Sequence, residues 1–155
     1  TSLLFGDAAT ATWVGSPGYW DISQPLYRTE SHLSNCLQVE NNILKMNGRQ
    51  IFNFAVNNIP SQIEKIIKKE GLKEQEIDIY CLHQASAAVC EAVTRKLGVA
   101  KEKVVFDMDR TGNTVSSSIP LLLEKDIHND RVNKVIICGF GVGLSVATTL
   151  ISTLR

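Results

Sequence analysis

The spacing of apolar residues is typical of a helix along residues 49–71, where they recur at steps of three and four. Pro60 lies inside this stretch and predicts a kink or a restart, because proline lacks a backbone N–H donor. Gly71 is the expected C-cap. Two further helices are predicted, at residues 85–98, ending at Gly98, and at residues 110–130, after a glycine turn.

Short apolar runs bounded by turn residues predict the strands. Residues 134–153 read as strand, glycine turn and strand, which predicts an antiparallel pair. Pro25 indicates that the second predicted strand, at residues 17–31, is an edge strand or an irregular one. Residues 32–47 are polar and are interpreted as a loop. The remaining predicted strands cover residues 3–15, 17–31, 77–83 and 103–109.

Helices that alternate with buried strands predict an α/β fold. We expect a single domain over residues 1–155, with a mixed central sheet of about five strands layered with helices. No linker, repeat or low-complexity stretch divides the sequence.

Charge and hydropathy exclude several classes of partner. The chain has 16 basic and 16 acidic side chains, so its net charge gives no reason to expect nucleic acid or an anionic membrane as partner. No apolar window is long enough to span a bilayer, and residues 1–10 lack the features of a signal peptide. The basic cluster at residues 64–73 is interpreted as a solvated helix face, and a docking patch for an acidic partner is the alternative.

The four cysteines show no spacing typical of a metal site or a CxxC motif, so no metal is predicted. Two of them, Cys81 and Cys138, lie inside apolar runs. We therefore expect buried, free thiols and a cytoplasmic location. The other two are Cys36 and Cys90.

His83 follows a predicted buried strand and precedes a predicted helix. Ligands of open α/β sheets bind at the carboxyl ends of the strands, so this is a candidate site. A helix N-terminus disfavours an imidazolium, so His83 is expected to be neutral and to donate one hydrogen bond. The alternative is a structural histidine that ends the strand.

Gly112 and Asn113 lie in the second candidate motif, "RTGNTVSSSIP" at residues 110–120. Gly112 permits an unusual backbone angle, from which Asn113 projects. The Asn amide donates hydrogen bonds without changing charge. The alternative is a helix N-cap, a position that asparagine favours.

The third candidate is "GFGVGL" at residues 139–144, which has glycines at three of five positions. It lacks the GxGxxG spacing, and no helix follows it. A simple hairpin turn and an anion-binding nest of backbone N–H groups both remain open.

A neutral histidine, an asparagine and a backbone nest at one sheet edge are three hydrogen-bond donors without a strong base. Such a set suits the stabilisation of an oxyanion, where each donor contributes roughly 3–4 kcal/mol. A nucleophile is missing: no cysteine is well placed, and the serines at 116–118 lack a GxSxG elbow.

Four motifs in order and spacing resemble the C-terminal half of 3-oxoacyl-acyl-carrier-protein synthase III, a condensing enzyme of the thiolase fold. The resemblance covers nearly the whole chain. The motifs are "LLFGDAATATWV", "LHQASAAVCEAVTRKLGV", "DRTGNTVSSSIPLLLE" and "GFGVGLSVATTLI".

The resemblance implies a role for each candidate residue. His83 and Asn113 hold the thioester carbonyl of malonyl-acyl carrier protein as it loses carbon dioxide. The backbone N–H of Val142, in the turn after Gly141, helps to bind the second oxyanion, beside the family's cysteine. The family has glycine where Val142 stands; the backbone role survives a side chain, but valine narrows the pocket. Gly112 and Ser86 contribute to substrate binding, although Ser86 replaces the family's asparagine.

The resemblance also implies a decarboxylating Claisen condensation in fatty acid synthesis, with acyl-CoA and malonyl-acyl carrier protein as substrates and no cofactor. Acyl carrier protein and a second copy of the full-length protein are the implied partners. The nucleophilic cysteine belongs to an N-terminal half that we expect to be absent, so the 155-residue chain alone should be inactive and should expose an apolar patch. The alternatives are a non-catalytic partner module and an acyltransferase that makes esters or amides.

Overall fold

The computed structural model describes residues 4–154. Its strands are β1 (Trp20–Ile22), β2 (Leu26–Thr29), β3 (Leu37–Glu40), β4 (Ile43–Met46), β5 (Ile79–Leu82), β6 (Lys134–Gly141) and β7 (Ser145–Thr153). Its α-helices are α1 (Gly48–Lys69), α2 (Ala87–Leu97), α3 (Met108–Thr111) and α4 (Ser118–Asp126).

The main sheet has five strands and mixed direction, which confirms the predicted fold class. β7 pairs antiparallel with β6 on one side, as predicted for the last two strands. On its other side β7 pairs first with β2 and then with β1. Both are short edge strands separated at Pro25, in agreement with the irregular edge expected there. β5 pairs parallel with β6, and the candidate residue His83 directly follows β5.

Alternation along β5 and β6 sends successive side chains to opposite faces of the sheet. Tyr80 and Leu82 pack with α1 and α2 in one core cluster, which also contains Ile136 and Cys138 of β6. Cys81 packs on the other face with Leu122 of α4, in a second cluster. The sheet is therefore the middle layer between α1 with α2 and α4.

α1 is the long helix predicted from the apolar spacing, and its N-cap is Asn47, whose side chain accepts a hydrogen bond from the Gln50 N–H. It runs unbroken through the buried Pro60, so the predicted restart was wrong. Packing of the helix face that contains Ile59 and Ile63 outweighs the backbone hydrogen bond that proline omits. Gly71 has a φ of 68°, the left-handed conformation expected just past a helix end.

The interpretation of residues 32–47 as a loop was wrong. The segment contains a 3₁₀ turn and the β3–β4 hairpin, whose strands pair antiparallel. Asn41 and Asn42 join the strands with φ angles of 51° and 60°, and asparagine tolerates this left-handed conformation, which a two-residue type I′ turn requires.

The predicted strand at residues 103–109 is reduced to one bridge, between Val104 and Tyr80 of β5. A 3₁₀ turn precedes it, and α3 follows it. The side chain of Gln84 ends the pairing, because its amide nitrogen donates to the Val105 carbonyl and its oxygen accepts from the Asp107 N–H.

The predicted strand at residues 3–15 is also wrong over the part that the structure describes; Leu3 lies outside the described residues. Phe5 forms a single bridge with Asn113, and residues 7–15 are exposed and belong to no strand. Trp13 is 93% exposed and Val14 71%. Apolar side chains are therefore exposed on this segment. This agrees with the exposed apolar patch that was expected for this chain.

Candidate active site

His83 lies directly after β5, where its backbone N–H donates to the Cys138 carbonyl of β6 at 2.9 Å. This bond extends the parallel pairing of the two strands by one residue. The ring packs edge-on against Phe140 of β6, with 5.1 Å between the ring centroids. The sheet therefore sets both the position and the tilt of the imidazole.

Burial lowers the pKa of His83 below its ordinary value of 6.5, because the charged imidazolium loses solvation. The expected neutral state agrees with this direction. The cause differs from the one inferred from the sequence: α2 begins only at Ala87, and desolvation is the cause of the lowered pKa.

Asn113 is buried, with 7% of its surface exposed, and its side-chain amide has a defined orientation. The oxygen accepts a hydrogen bond from the Val115 N–H at 2.9 Å, and the nitrogen lies 3.4 Å from the Ala85 carbonyl. Because the oxygen accepts from a backbone N–H and one hydrogen of the NH₂ group is directed to Ala85, the second hydrogen of the NH₂ group is the one that is left to donate. Asn113 is not a helix cap, since Thr114 caps the following 3₁₀ turn and Ser117 caps α4.

Val115 has a φ of 53°, which is strained for a β-branched residue. This conformation brings its N–H to Asn113 and its carbonyl to within 3.0 Å of the Ser118 hydroxyl. The same hydroxyl lies 2.7 Å from Nδ1 of His83. The structure thus brings the two predicted catalytic side chains together through one short segment.

Gly112 and Gly6 allow two backbone segments to meet beside Asn113. The Gly6 N–H donates to the Asn113 carbonyl, and the Asn113 N–H donates to the Leu4 carbonyl. A Cβ at Gly6 would collide with the Thr111 carbonyl oxygen, and Gly112 has a φ of 65°. Gly112 is therefore required by the backbone, and its predicted contact with substrate stays a prediction.

The third motif forms the β6–β7 turn. Gly141 is the last residue of β6 and is paired with Ser145, and the side chain of Val142 is 72% exposed. The turn follows Phe140, which contacts the His83 ring, so all three candidate motifs meet at this end of the sheet. The oxyanion role of the turn stays a prediction.

Ser86 is the N-cap of α2, and its hydroxyl oxygen accepts a hydrogen bond from the Val89 N–H. A hydroxyl that accepts in this way retains its hydrogen for a further acceptor. The predicted substrate contact is compatible with the cap and stays a prediction.

Two residues of the site were not found from the sequence. Gln84 is buried and ties the Leu82 carbonyl to Val105 and Asp107, which holds the loop that follows His83. The feature of the sequence that could have identified Gln84 is a long polar residue at the end of an apolar strand. Ser118 contacts the His83 ring, but nothing in the sequence distinguishes it from the neighbouring serines.

Cys81, Cys90 and Cys138 are poor candidates for a nucleophile. All four are free and buried, as expected. Burial raises the pKa of Cys81 and of Cys138 to about 12 and that of Cys90 to about 11, so these thiols stay protonated at neutral pH.

Residues 4–154 contain no group of three or more His, Cys, Asp or Glu side chains placed to hold a metal ion. In the same range, no helix combines the length and the apolar character needed to cross a membrane.

The fold defines a class: the chain has a thiolase-like α/β fold. A crystal structure of beta-ketoacyl-[acyl carrier protein] synthase III from Thermus thermophilus superposes with a TM-score of 0.84 at 29% identity, over 98% of this chain and 52% of that one. The corresponding enzyme of Aquifex aeolicus gives a TM-score of 0.81 at 28% identity, over 89% of this chain and 46% of that one.

Residues 67–153 match the family described as 3-oxoacyl-[acyl-carrier-protein] synthase III C terminal, and the chain belongs to this family. Beta-ketoacyl-[acyl-carrier-protein] synthase III of Lactococcus lactis subsp. cremoris is 35% identical over 176 aligned residues, which cover 98% of this chain and 53% of the relative. The chain therefore spans about half the length of the relatives it matches.

We expect Gly6→Ala to lower the free energy of unfolding by about 1–3 kcal/mol, because the added methyl forces the two paired segments apart. Urea unfolding of the protein measures the loss. Gly48→Ala is the control, since nothing lies near the Cβ it adds at the start of α1. Equal stability of the two variants would contradict the close approach described here.

We expect the His83 ring to titrate with a midpoint below 6.5 in a ¹⁵N NMR titration of the protein, because burial disfavours its charged form. Loss of the signal in His83→Gln assigns it. As the pH falls below the ordinary value, the unfolded chain binds a proton that the folded chain does not, so stability decreases on the acid side. A midpoint above the ordinary value would contradict the assigned effect of burial.

Proposed function

We propose that this chain is the C-terminal part of an enzyme that catalyses a decarboxylating Claisen condensation between an acyl group derived from acyl-CoA and malonyl-acyl carrier protein. The proposed reaction starts fatty acid synthesis. His83 and Asn113 are its oxyanion donors in this chain.

The observation that carries this proposal is the connection between the two side chains. Asn113 contacts the Val115 N–H, and the Val115 carbonyl and the His83 ring share the Ser118 hydroxyl. Both side chains are neutral donors, and both are at least partly shielded from water. Donors held in place in such surroundings stabilise a developing negative charge without reorganisation.

In the proposed step, the bond between the malonyl α-carbon and its carboxylate breaks, and carbon dioxide leaves. The electron pair passes to the thioester oxygen, where the N–H groups of His83 and Asn113 stabilise the enolate. The α-carbon then attacks the acyl thioester, a new carbon–carbon bond forms, and a thiolate is expelled. Neutral donors suit this step because they do not protonate the carbanion.

The acyl-carrying thiol is assigned to the rest of the protein. The high pKa values of Cys81, Cys90 and Cys138 support this assignment, because a buried protonated thiol is a poor nucleophile. The 155-residue chain by itself is then inactive. The backbone of the Gly141–Val142 turn is the proposed donor to the second oxyanion, on the acyl thioester, and Ser86 and Gly112 line the substrate path.

Partners and location follow from the same proposal. Acyl carrier protein and acyl-CoA are the substrates, no cofactor is needed, and the complete protein forms a homodimer in the cytoplasm. The names of the relatives, which include acyl carrier protein, support the substrate class.

We expect His83→Ala and Asn113→Ala each to slow carbon dioxide release from malonyl-acyl carrier protein by roughly 100- to 1,000-fold in the complete protein, because each removes one oxyanion donor. Release of ¹⁴CO₂ from labelled malonyl-acyl carrier protein measures the rate. His128→Ala, at an exposed histidine, is the matched control and should retain the wild-type rate.

Two results would overturn the proposal. Unchanged release in both donor variants would remove their assigned role. Absence of release by the wild-type protein would favour a non-catalytic partner module, or an acyltransferase that forms esters or amides without decarboxylation.

A further inference from the structure

Ser118 is the first residue of α4, and its hydroxyl lies between two hydrogen-bond partners. Its Oγ is 2.7 Å from Nδ1 of His83 and 3.0 Å from the Val115 carbonyl oxygen. The side chain is buried, with 4% of the residue exposed. A serine hydroxyl has one hydrogen, so it donates to only one of these two partners at a time.

The choice of acceptor determines which nitrogen of a neutral His83 carries the proton. If Ser118 donates to Val115, Nδ1 must carry a hydrogen and donate to Oγ, and Nε2 is left as an acceptor. If Ser118 donates to Nδ1, the ring proton is on Nε2, which then acts as a donor.

Both contacts of the Ser118 hydroxyl are within hydrogen-bond distance, and the one with Nδ1 of His83 is the shorter, at 2.7 Å against 3.0 Å. Donation to Nδ1 leaves the ring hydrogen on Nε2. This is the state in which the outer nitrogen of the ring can donate to the thioester oxygen, as the proposed function requires.

We propose that Ser118 is a positioning residue that donates its hydroxyl hydrogen to Nδ1 of His83 and holds the ring as the Nε2–H tautomer. This inference rests on the proposed function, which needs His83 to donate a hydrogen bond to the thioester oxygen. Phe140 packs against the same ring in a T-shaped arrangement. The geometry thus assigns to one serine of the "VSSS" run a role that its neighbours lack.

The first experiment reads the tautomer without any substrate. Long-range ¹H–¹⁵N correlation spectra of the complete protein with ¹⁵N-labelled histidine distinguish a protonated from an unprotonated ring nitrogen, and His83→Gln assigns the signals. We expect the proton on Nε2 and an Nδ1 shifted by its hydrogen bond, and we expect Ser118→Ala to abolish that shift. A proton on Nδ1 in the wild-type protein overturns the proposal, whatever the enzyme's activity.

The second experiment is kinetic. We expect Ser118→Ala to lower kcat for carbon dioxide release roughly tenfold, the effect of one lost hydrogen bond, while KM stays unchanged. Ser118→Thr retains the hydroxyl and should restore most of the rate. Ser117→Ala is the matched control, because Ser117 is equally buried but donates to the Ala8 carbonyl at 3.3 Å instead of to His83.

The two experiments separate the failure of this inference from that of the proposed function. An Nε2–H tautomer that depends on Ser118, in a protein that releases no carbon dioxide, overturns the function and leaves the role of the serine in place. A Ser118→Ala enzyme with the wild-type kcat overturns the role of the serine and leaves the function in place. If Ser118→Ala does not fold, the wild-type spectrum alone decides.

Discussion

The hydrogen-bonded segment from Asn113 to Ser118 determines how the two candidate donors lie relative to each other. Asn113 is held by the Val115 N–H, and the Val115 carbonyl lies beside the hydroxyl that contacts the His83 ring. These groups are mostly shielded from water. A polar group without a hydrogen bond costs more free energy in such surroundings than it does in solvent. The two candidate side chains are therefore linked through hydrogen bonds of one short segment.

The sheet supplies the fixed frame for this segment. Parallel pairing of β5 with β6 continues through the His83 N–H to Cys138 and brings the "GFGVG" turn to the same end of the sheet. On the other side of the site, the glycine contact between Gly6 and Gly112 holds the loop that carries Asn113. Backbone contacts thus position His83 through the sheet and Asn113 through the glycine contact. Side-chain hydrogen bonds then orient the two side chains. Strain at Val115 is compatible with a functional role for the loop, since such strain persists only where the surroundings enforce it.

The division of tasks within the proposed enzyme follows from the same chemistry. This chain offers neutral donors and protonated, buried thiols, a combination that stabilises charge but does not attack an acyl group. The chain belongs to the synthase III C-terminal family and spans about half the length of its relatives. The exposed apolar side chains of Trp13 and Val14 lie on the segment that lacks a strand partner among residues 4–154.

The sequence by itself determined the elements that depend on local pattern: the long helix α1, the helix ending at Gly98, the antiparallel β6–β7 pair and the candidate residues His83 and Asn113. The tertiary structure decided whatever depends on a distant partner. Residues 7–15 have a strand-like composition but no neighbouring strand, and Gln84 ends the pairing after Val104 with its side chain. Ser118 is one serine among three until α4 packs against the sheet and brings its hydroxyl to His83. Hydrophobic periodicity is a property of a short segment, whereas a strand partner or a hydrogen bond across 35 residues exists only after folding.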